Sequence, residues 1–281
     1  MLRKPGSLCL VATLVAALAA PAAHANWALN MPKGVTSMSK EIYSLHMSMF
    51  WWCVAIAFFV FGWMIVSLVK FRKSQGAVPD TALLHSTKAE VIWTVIPVVI
   101  LVVLAIPATR TLIKQEDATG TQLTIKITGY QWKWQYEYLD KGVSYFSTLS
   151  RNSDAARQLG SGIDPDSVPN YLLSVDNPLV VPVGTKVRLL LTAQDAIHAW
   201  WVPEFAVKKD AIPGFVNEAW FEVDADKPGT YRGQCAELCG RDHGFMPIVV
   251  VAKTRDEFEA WLKSQQTSQK QASAAGASTT G

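Results

Sequence analysis

With 281 residues, half of them hydrophobic, the chain is too long for a small stapled scaffold and long enough for one sizeable domain plus further segments. Its formal net charge of +3 is unevenly placed: residues 114–263 hold 16 Lys and Arg against 20 Asp and Glu, so the basic excess lies outside them. A mildly acidic domain argues against nucleic acid as a partner and suits a basic protein partner steered by charge.

The first apolar run has the form of a secretory signal. Arg3 and Lys4 precede an apolar stretch from Leu8 to Ala20, and Ala23-His24-Ala25 fits a small-x-small cleavage site, so residues 1–25 are expected to be removed and the mature chain to begin at Asn26. Cys9 would leave with it. The alternative, a third membrane helix, is opposed by the shortness of the run and by Pro21.

The second run, Met47 to Val69, has no charged residue in 23 positions and carries Trp51, Trp52 and Trp63. As a helix it measures about 34 Å, enough to cross a hydrocarbon core of about 30 Å. The third run, Val91 to Thr109, lies between Glu90 and Arg110 and contains Pro97 and Pro107, which membrane helices tolerate. The linker between the spans holds Lys70, Arg72, Lys73 and Lys88 against Asp80, which places it in the cytoplasm by the positive-inside rule. The mature N-terminus and the C-terminal domain then face outward, on the side to which a signal would direct them.

From Thr121 the pattern turns to short strands. Leu123, Ile125 and Ile127 alternate with polar residues up to Gly129, and Leu172–Val175, Leu179–Val183, Val187–Thr192, Trp220–Val223, Tyr231–Gln234 and Ile248–Val251 are further β-rich pieces. Their number and spacing predict an antiparallel sandwich or barrel. Residues 141–170 read as a long polar loop. Thr254 and Glu257 form a capping box for a closing helix. From Ser264 the Ser, Gln, Ala, Gly and Thr composition has no apolar periodicity and predicts a disordered tail over 264–281.

This outer domain is sparing with soft side chains. Its cysteines are Cys235 and Cys239, its histidines His198 and His243, and its methionine Met246; four of the five fall between Gly233 and Pro247. Three chemistries fit. A Cys235–Cys239 disulfide suits an oxidising compartment but leaves three residues unexplained. Structural zinc accepts two Cys and two His and leaves Met246 idle. Copper accepts thiolate, imidazole and thioether together, and two ions bridged by both sulfurs would use all five, with one histidine each and Met246 and a backbone carbonyl as weak ligands.

The cysteine loop, together with Glu90-Val91-Ile92-Trp93-Thr94-Val95-Ile96-Pro97, Gln131-Trp132-Lys133-Trp134-Gln135-Tyr136-Glu137-Tyr138 and Asp210-Ala211-Ile212-Pro213-Gly214, resembles subunit II of the haem–copper cytochrome c oxidases. The likeness spans roughly residues 42–262, least clearly at 141–170. It implies a membrane-anchored α+β chain: a two-helix transmembrane hairpin followed by an all-β cupredoxin-like barrel holding the binuclear centre CuA. It implies Cys235 and Cys239 as bridging ligands of two copper ions, with His198, His243 and Met246 terminal and the Glu237 carbonyl completing the set. By the same resemblance Trp132 is the residue through which electrons arrive from cytochrome c. The resemblance also implies that Glu90 is the carboxylate at a proton-channel entrance and that the Glu237 side chain is a ligand of a magnesium ion shared with subunit I. Glu137, Asp176 and Asp195 match acidic positions of the docking surface.

The function implied is transfer of electrons from cytochrome c to haem in subunit I, where oxygen is reduced to water with proton pumping. The implied partners are subunits I and III and cytochrome c, and the implied location is the bacterial inner membrane with the domain in the periplasm. A quinol oxidase subunit is disfavoured by the intact ligand set, and a soluble nitrous oxide reductase domain by the two spans. A tethered copper chaperone would need neither the Trp-rich run nor Glu90. No Cys-x-x-Cys-His occurs, so the donor haem belongs to another protein.

Overall fold

The computed structural model describes residues 30–78, 82 and 85–278. The signal segment read at 1–25 lies outside them. An uncharged apolar segment in lipid must satisfy its amides internally, and the helix does so. Accordingly α1 runs Ser37–Lys70 and α2 runs Thr87–Glu116, about 50 and 45 Å long. Both extend past the apolar stretches that predicted them. Thr36 caps α1, its Oγ1 accepting from the Ser39 N–H at 2.9 Å while its own N–H donates to Ser39 Oγ at 2.9 Å. Ser86 caps α2, and Pro97 and Pro107 lie inside it. Phe58, Trp63 and Leu101 are among many exposed apolar side chains on the pair, as surfaces facing lipid require. Among the described residues these are the two helices long and apolar enough to cross a membrane.

The outer ends of the helices are bonded to the domain that follows. Val35 donates to the Glu204 carbonyl at 3.1 Å and accepts from Asp224 at 2.9 Å. Lys209 pairs with Glu116 at 3.1 Å, and Lys186 Nζ donates to the carbonyls of Asp117 and Thr119, both at 2.8 Å.

Among the described residues, ten strands form two five-stranded sheets. One holds β1 (Leu123–Tyr130), β2 (Lys133–Tyr138), β3 (Val143–Ser147), β5 (Val187–Ala193) and β8 (Asn217–Phe221), in the order β3-β2-β1-β5-β8. The other holds β4 (Leu179–Pro182), β6 (His198–Val202), β7 (Val207–Ala211), β9 (Gly229–Cys235) and β10 (Pro247–Lys253), in the order β4-β10-β9-β6-β7. The two-residue period sorts the side chains: Ile125, Ile127, Trp134, Tyr136 and Tyr138 point into the core with Leu189, Trp200, Ile248 and Val250. On the outer face of the first sheet Lys126 stands opposite Glu137 and pairs with it at 2.8 Å. The described residues thus give two apolar helices followed by a cupredoxin-like β-domain.

Several expectations need correction. The sandwich is not wholly antiparallel, because β1–β5 and β4–β10 are parallel pairs. The stretch 141–170 contains β3 and a short helix, α3 (Arg151–Ala156), since Val143 and Ser147 turn inward against the core. Leu172–Val175 forms no strand, only a single bridge between Leu149 and Val175. The capping box is present, with Thr254 N donating to Glu257 Oε2 at 3.0 Å and Glu257 N to Thr254 Oγ1 at 3.4 Å. The helix it begins, α4, runs from Arg255 to Ser278 rather than giving way to a disordered tail at Ser264. Phe258 and Leu262 are buried, and Gln266 Nε2 and Gln269 Nε2 donate to the carbonyls of Lys141 and Ser144. With no proline after Trp261, a helix anchored by its first two turns has no reason to stop at Ser264.

Candidate metal centre

The soft side chains converge because three strand ends meet. His198 opens β6 and Cys235 closes β9, and these strands pair at Trp200 and Cys235. The loop from Ala236 to Met246 returns the chain to β10. Its ends are closed by Ala236 N donating to the Ala199 carbonyl at 3.0 Å and Cys235 N to the Met246 carbonyl at 3.3 Å. A single helical turn at His243–Phe245 bends the loop back over the sulfurs.

The two Sγ atoms are 3.9 Å apart. A disulfide needs about 2.05 Å, so Cys235 and Cys239 are free thiols. His198 Nδ1 is 3.9 Å from Cys235 Sγ, and His243 Nδ1 is 3.5 Å from Cys239 Sγ. The Met246 thioether lies 3.5 Å from Cys239 Sγ, and the Glu237 carbonyl 3.4 Å from Cys235 Sγ. Each sulfur therefore has an imidazole of its own and a weaker donor beside it. His198, Cys235 and Cys239 offer ligand atoms all within 4.8 Å of one another, and those three residues and Met246 are buried.

The donor set fits a metal. Burial pushes the Cys235 thiol up, but hydrogen bonding to His198 and neighbouring groups outweighs it and holds the group at about 7. Burial, and then the charge on Cys235, push Cys239 up to about 12. The first thiolate opposes the second, so a cation held between the sulfurs would favour ionisation of both. A buried thioether 3.5 Å from Cys239 Sγ adds the soft donor that copper accepts and zinc sites leave out.

The remaining predicted residues fall into two groups. Trp132 joins the site: it lies in the turn between β1 and β2, half-buried, and its Nε1 donates to the Cys239 carbonyl at 3.3 Å. Its neighbours Trp134, Tyr136 and Tyr138 face the core instead. The Arg241 guanidinium stands 5.5 Å from its ring centre. Glu237 presents an exposed side chain at the rim. Glu90 does not join the site; it lies in the first turn of α2, where a carboxylate is favoured by the helix dipole, at the end away from the β-domain.

The three acids matched to a docking surface all have partners within the chain. Glu137 pairs with Lys126. Asp176 accepts from Thr148 N at 2.7 Å and Thr148 Oγ1 at 2.9 Å. Asp195 Oδ1 is 3.0 Å from His198 Nε2, which leaves His198 Nδ1 facing the sulfurs. Sequence reasoning missed this contact, and it missed Gln131 and Gly129, which also abut the site. Their residue types carry no metal signal; proximity to Trp132 was the one hint.

Two family models match the chain: "Cytochrome C oxidase subunit II, transmembrane domain" over residues 24–111 and "Cytochrome C oxidase subunit II, periplasmic domain" over residues 123–253. A probable cytochrome c oxidase subunit 2 of Rickettsia bellii is 37% identical over 239 residues, covering 85% of this chain and 84% of that one. The chain belongs to the cytochrome c oxidase subunit II family. The wheat (Triticum aestivum) subunit 2 is 36% identical over 240 residues, covering 85% of this chain and 90% of its own. The crystal structure of the periplasmic domain of subunit II of cytochrome oxidase from Bradyrhizobium japonicum is 40% identical, covers 54% of this chain and 99% of that one, and superposes with a TM-score of 0.46. As a subunit II the chain is part of a haem–copper oxidase, anchored in a membrane with a periplasmic domain, and its family implies a CuA copper site.

Proposed function

We propose that this subunit II is the part of its oxidase that takes electrons from cytochrome c and delivers them to haem in subunit I, where oxygen is reduced to water with proton pumping. The observation that carries this reading is the two-flanked sulfur pair, with a histidine beside each sulfur and Met246 in contact. Cys235, Cys239, His198 and His243 would hold the two copper ions, with Met246 and the Glu237 carbonyl as weaker donors. Bound there, the copper pair supplies a one-electron acceptor whose charge is shared between two ions.

The chain's own residues supply the rest. Trp132 offers a half-exposed ring hydrogen-bonded to the backbone of a ligand, a short route from a docked donor to the site. The acidic surplus of residues 114–263 draws a basic donor. Burial of Cys235, Cys239, His198 and Met246 excludes water from the sulfurs. The Glu237 carboxylate, exposed at the rim, would be a ligand of a magnesium ion shared with subunit I, and Glu90 would take up protons at the cytoplasmic end of α2. Subunit III would complete the assembly. The setting proposed is a bacterial inner membrane, with residues 1–25 removed on export.

Copper counting on the full chain in detergent tests this reading. The expected result is two coppers per chain with an electron-spin spectrum of one unpaired spin spread over both. One copper, or zinc alone, overturns it.

A further inference from the structure

The Gln131–Trp132 turn between β1 and β2 touches both flanks of the sulfur pair. The Gln131 N–H donates to Asp195 Oδ2 at 2.8 Å. The other oxygen of that carboxylate, Oδ1, accepts from Ala196 N at 2.6 Å and lies 3.0 Å from His198 Nε2. The Gln131 side chain reaches the opposite way, its Nε2 donating to the Cys239 carbonyl at 2.8 Å. Trp132 Nε1 donates to the same carbonyl at 3.3 Å, so both its lone pairs are occupied. The approach is close: a Cβ on Gly240 would stand 3.1 Å from Gln131 Nε2 and 3.2 Å from Trp132 Cζ2.

This matters because the copper loop is fixed by backbone bonds at its two ends, while Cys239 sits in its middle. A carbonyl held by two donors fixes the Cys239 peptide plane, and with it the direction of the Cα–Cβ bond that carries Sγ. The same residue, through Asp195, fixes the ring of His198. Metal affinity depends on such outer contacts, whose removal typically costs 10- to 100-fold.

We propose that the Gln131 side chain is a positioning group for the copper pair, holding the Cys239 carbonyl in register with a His198 that the main-chain N–H of the same residue, common to any substitution tested below, braces through Asp195. The inference rests on the copper-pair reading and goes beyond it, since it assigns a task to a residue that binds neither copper nor donor. Glutamine suits the position by reach and by its N–H donors. Methionine has similar reach and no donor, and glutamate would set a carboxylate against the carbonyl.

The test uses the full chain in detergent, as Gln131→Met and Gln131→Glu, each copper-free and loaded with Cu(II). Gln131 is exposed, so the copper-free variants should melt like the unsubstituted chain. Loss of copper to a chelator should be about tenfold faster, and the copper hyperfine pattern should change in both. Variants with an unaltered hyperfine pattern and loss rate, beside an unsubstituted chain that takes up two coppers, overturn the role of Gln131 alone. A lowered melting temperature with an unaltered hyperfine pattern also overturns it, because that marks a brace for the fold. An unsubstituted chain that takes up fewer than two coppers removes the copper-pair reading and this inference together.

Discussion

Gly129 lies in β1 beside the His198 ring, and Gly129→Ala tests how tightly the fold holds that ligand. The added Cβ would stand 2.7 Å from His198 Cδ2 and 2.9 Å from Cγ. Carbon atoms settle at about 3.5–4.0 Å, so the ring must retreat by about 0.8 Å. It has little room to do so. His198 is fully buried, the Trp134 ring packs against it with centroids 5.8 Å apart, and Asp195 holds its Nε2 at 3.0 Å. Metal–ligand distances in well-formed sites fall within about 0.2 Å of their standard values, so a shift of that size matters. Two losses should follow: about 1–3 kcal/mol of stability in the copper-free chain from overpacking, and copper affinity weakened about tenfold or more. Gly229→Ala is the control, a strand glycine whose Cβ would meet nothing nearer than 3.6 Å. Thermal melting of the copper-free chain and chelator competition measure the two effects. A Gly129→Ala chain that matches Gly229→Ala in both would refute the reasoning.

Further outcomes follow from other contacts. Gly233→Ala would place a Cβ 1.9 Å from the Trp201 carbonyl oxygen, a backbone atom of the neighbouring strand; the cost should exceed about 3 kcal/mol, and a protease-resistant domain in that variant would contradict it. Trp132→Ala leaves the Gln131 bond to Cys239 in place, so copper content should survive while electron uptake from reduced cytochrome c collapses; unchanged uptake rejects Trp132 as the intake point. Glu257 is held below the ordinary carboxylate value of 4.5 by hydrogen bonds from the backbone and then the hydroxyl of Thr254. A carboxyl depressed by folding stabilises the native state above its ordinary value and loses that contribution as pH falls through the lowered one. Protection of the amides in the first turn of α4, measured against their intrinsic exchange rates, should therefore fall below pH 4.5, and Glu257→Gln should remove this dependence; an unchanged acid limb in that variant denies the cap its role.

Local chemistry explains which features were legible beforehand. Met47–Val69 and Val91–Thr109 announce helices because an uncharged run of that length has one way to satisfy its amides in lipid. Thr254 and Glu257 announce a helix start because both partners of the cap lie within four residues. The five soft side chains stood out because the outer domain has no others of their kind. The β7 strand was missed since Lys208, Lys209 and Asp210 break the alternation, and it is supplied by pairing with β6. The parallel partners of β1 and β10 come from distant parts of the chain, which no local pattern encodes.

The sequence alone thus determined the spans, the soft side chains that gather at the candidate site and the type of domain that presents them, since each depends on residue type or near-neighbour spacing. Tertiary structure alone decided that each sulfur has its own histidine, that Asp195 faces His198 as well as solvent, and that Gln131 ties the two flanks together. Those are contacts between side chains and carbonyls from separate strands and loops, and the backbone half of such a contact leaves no mark in a sequence.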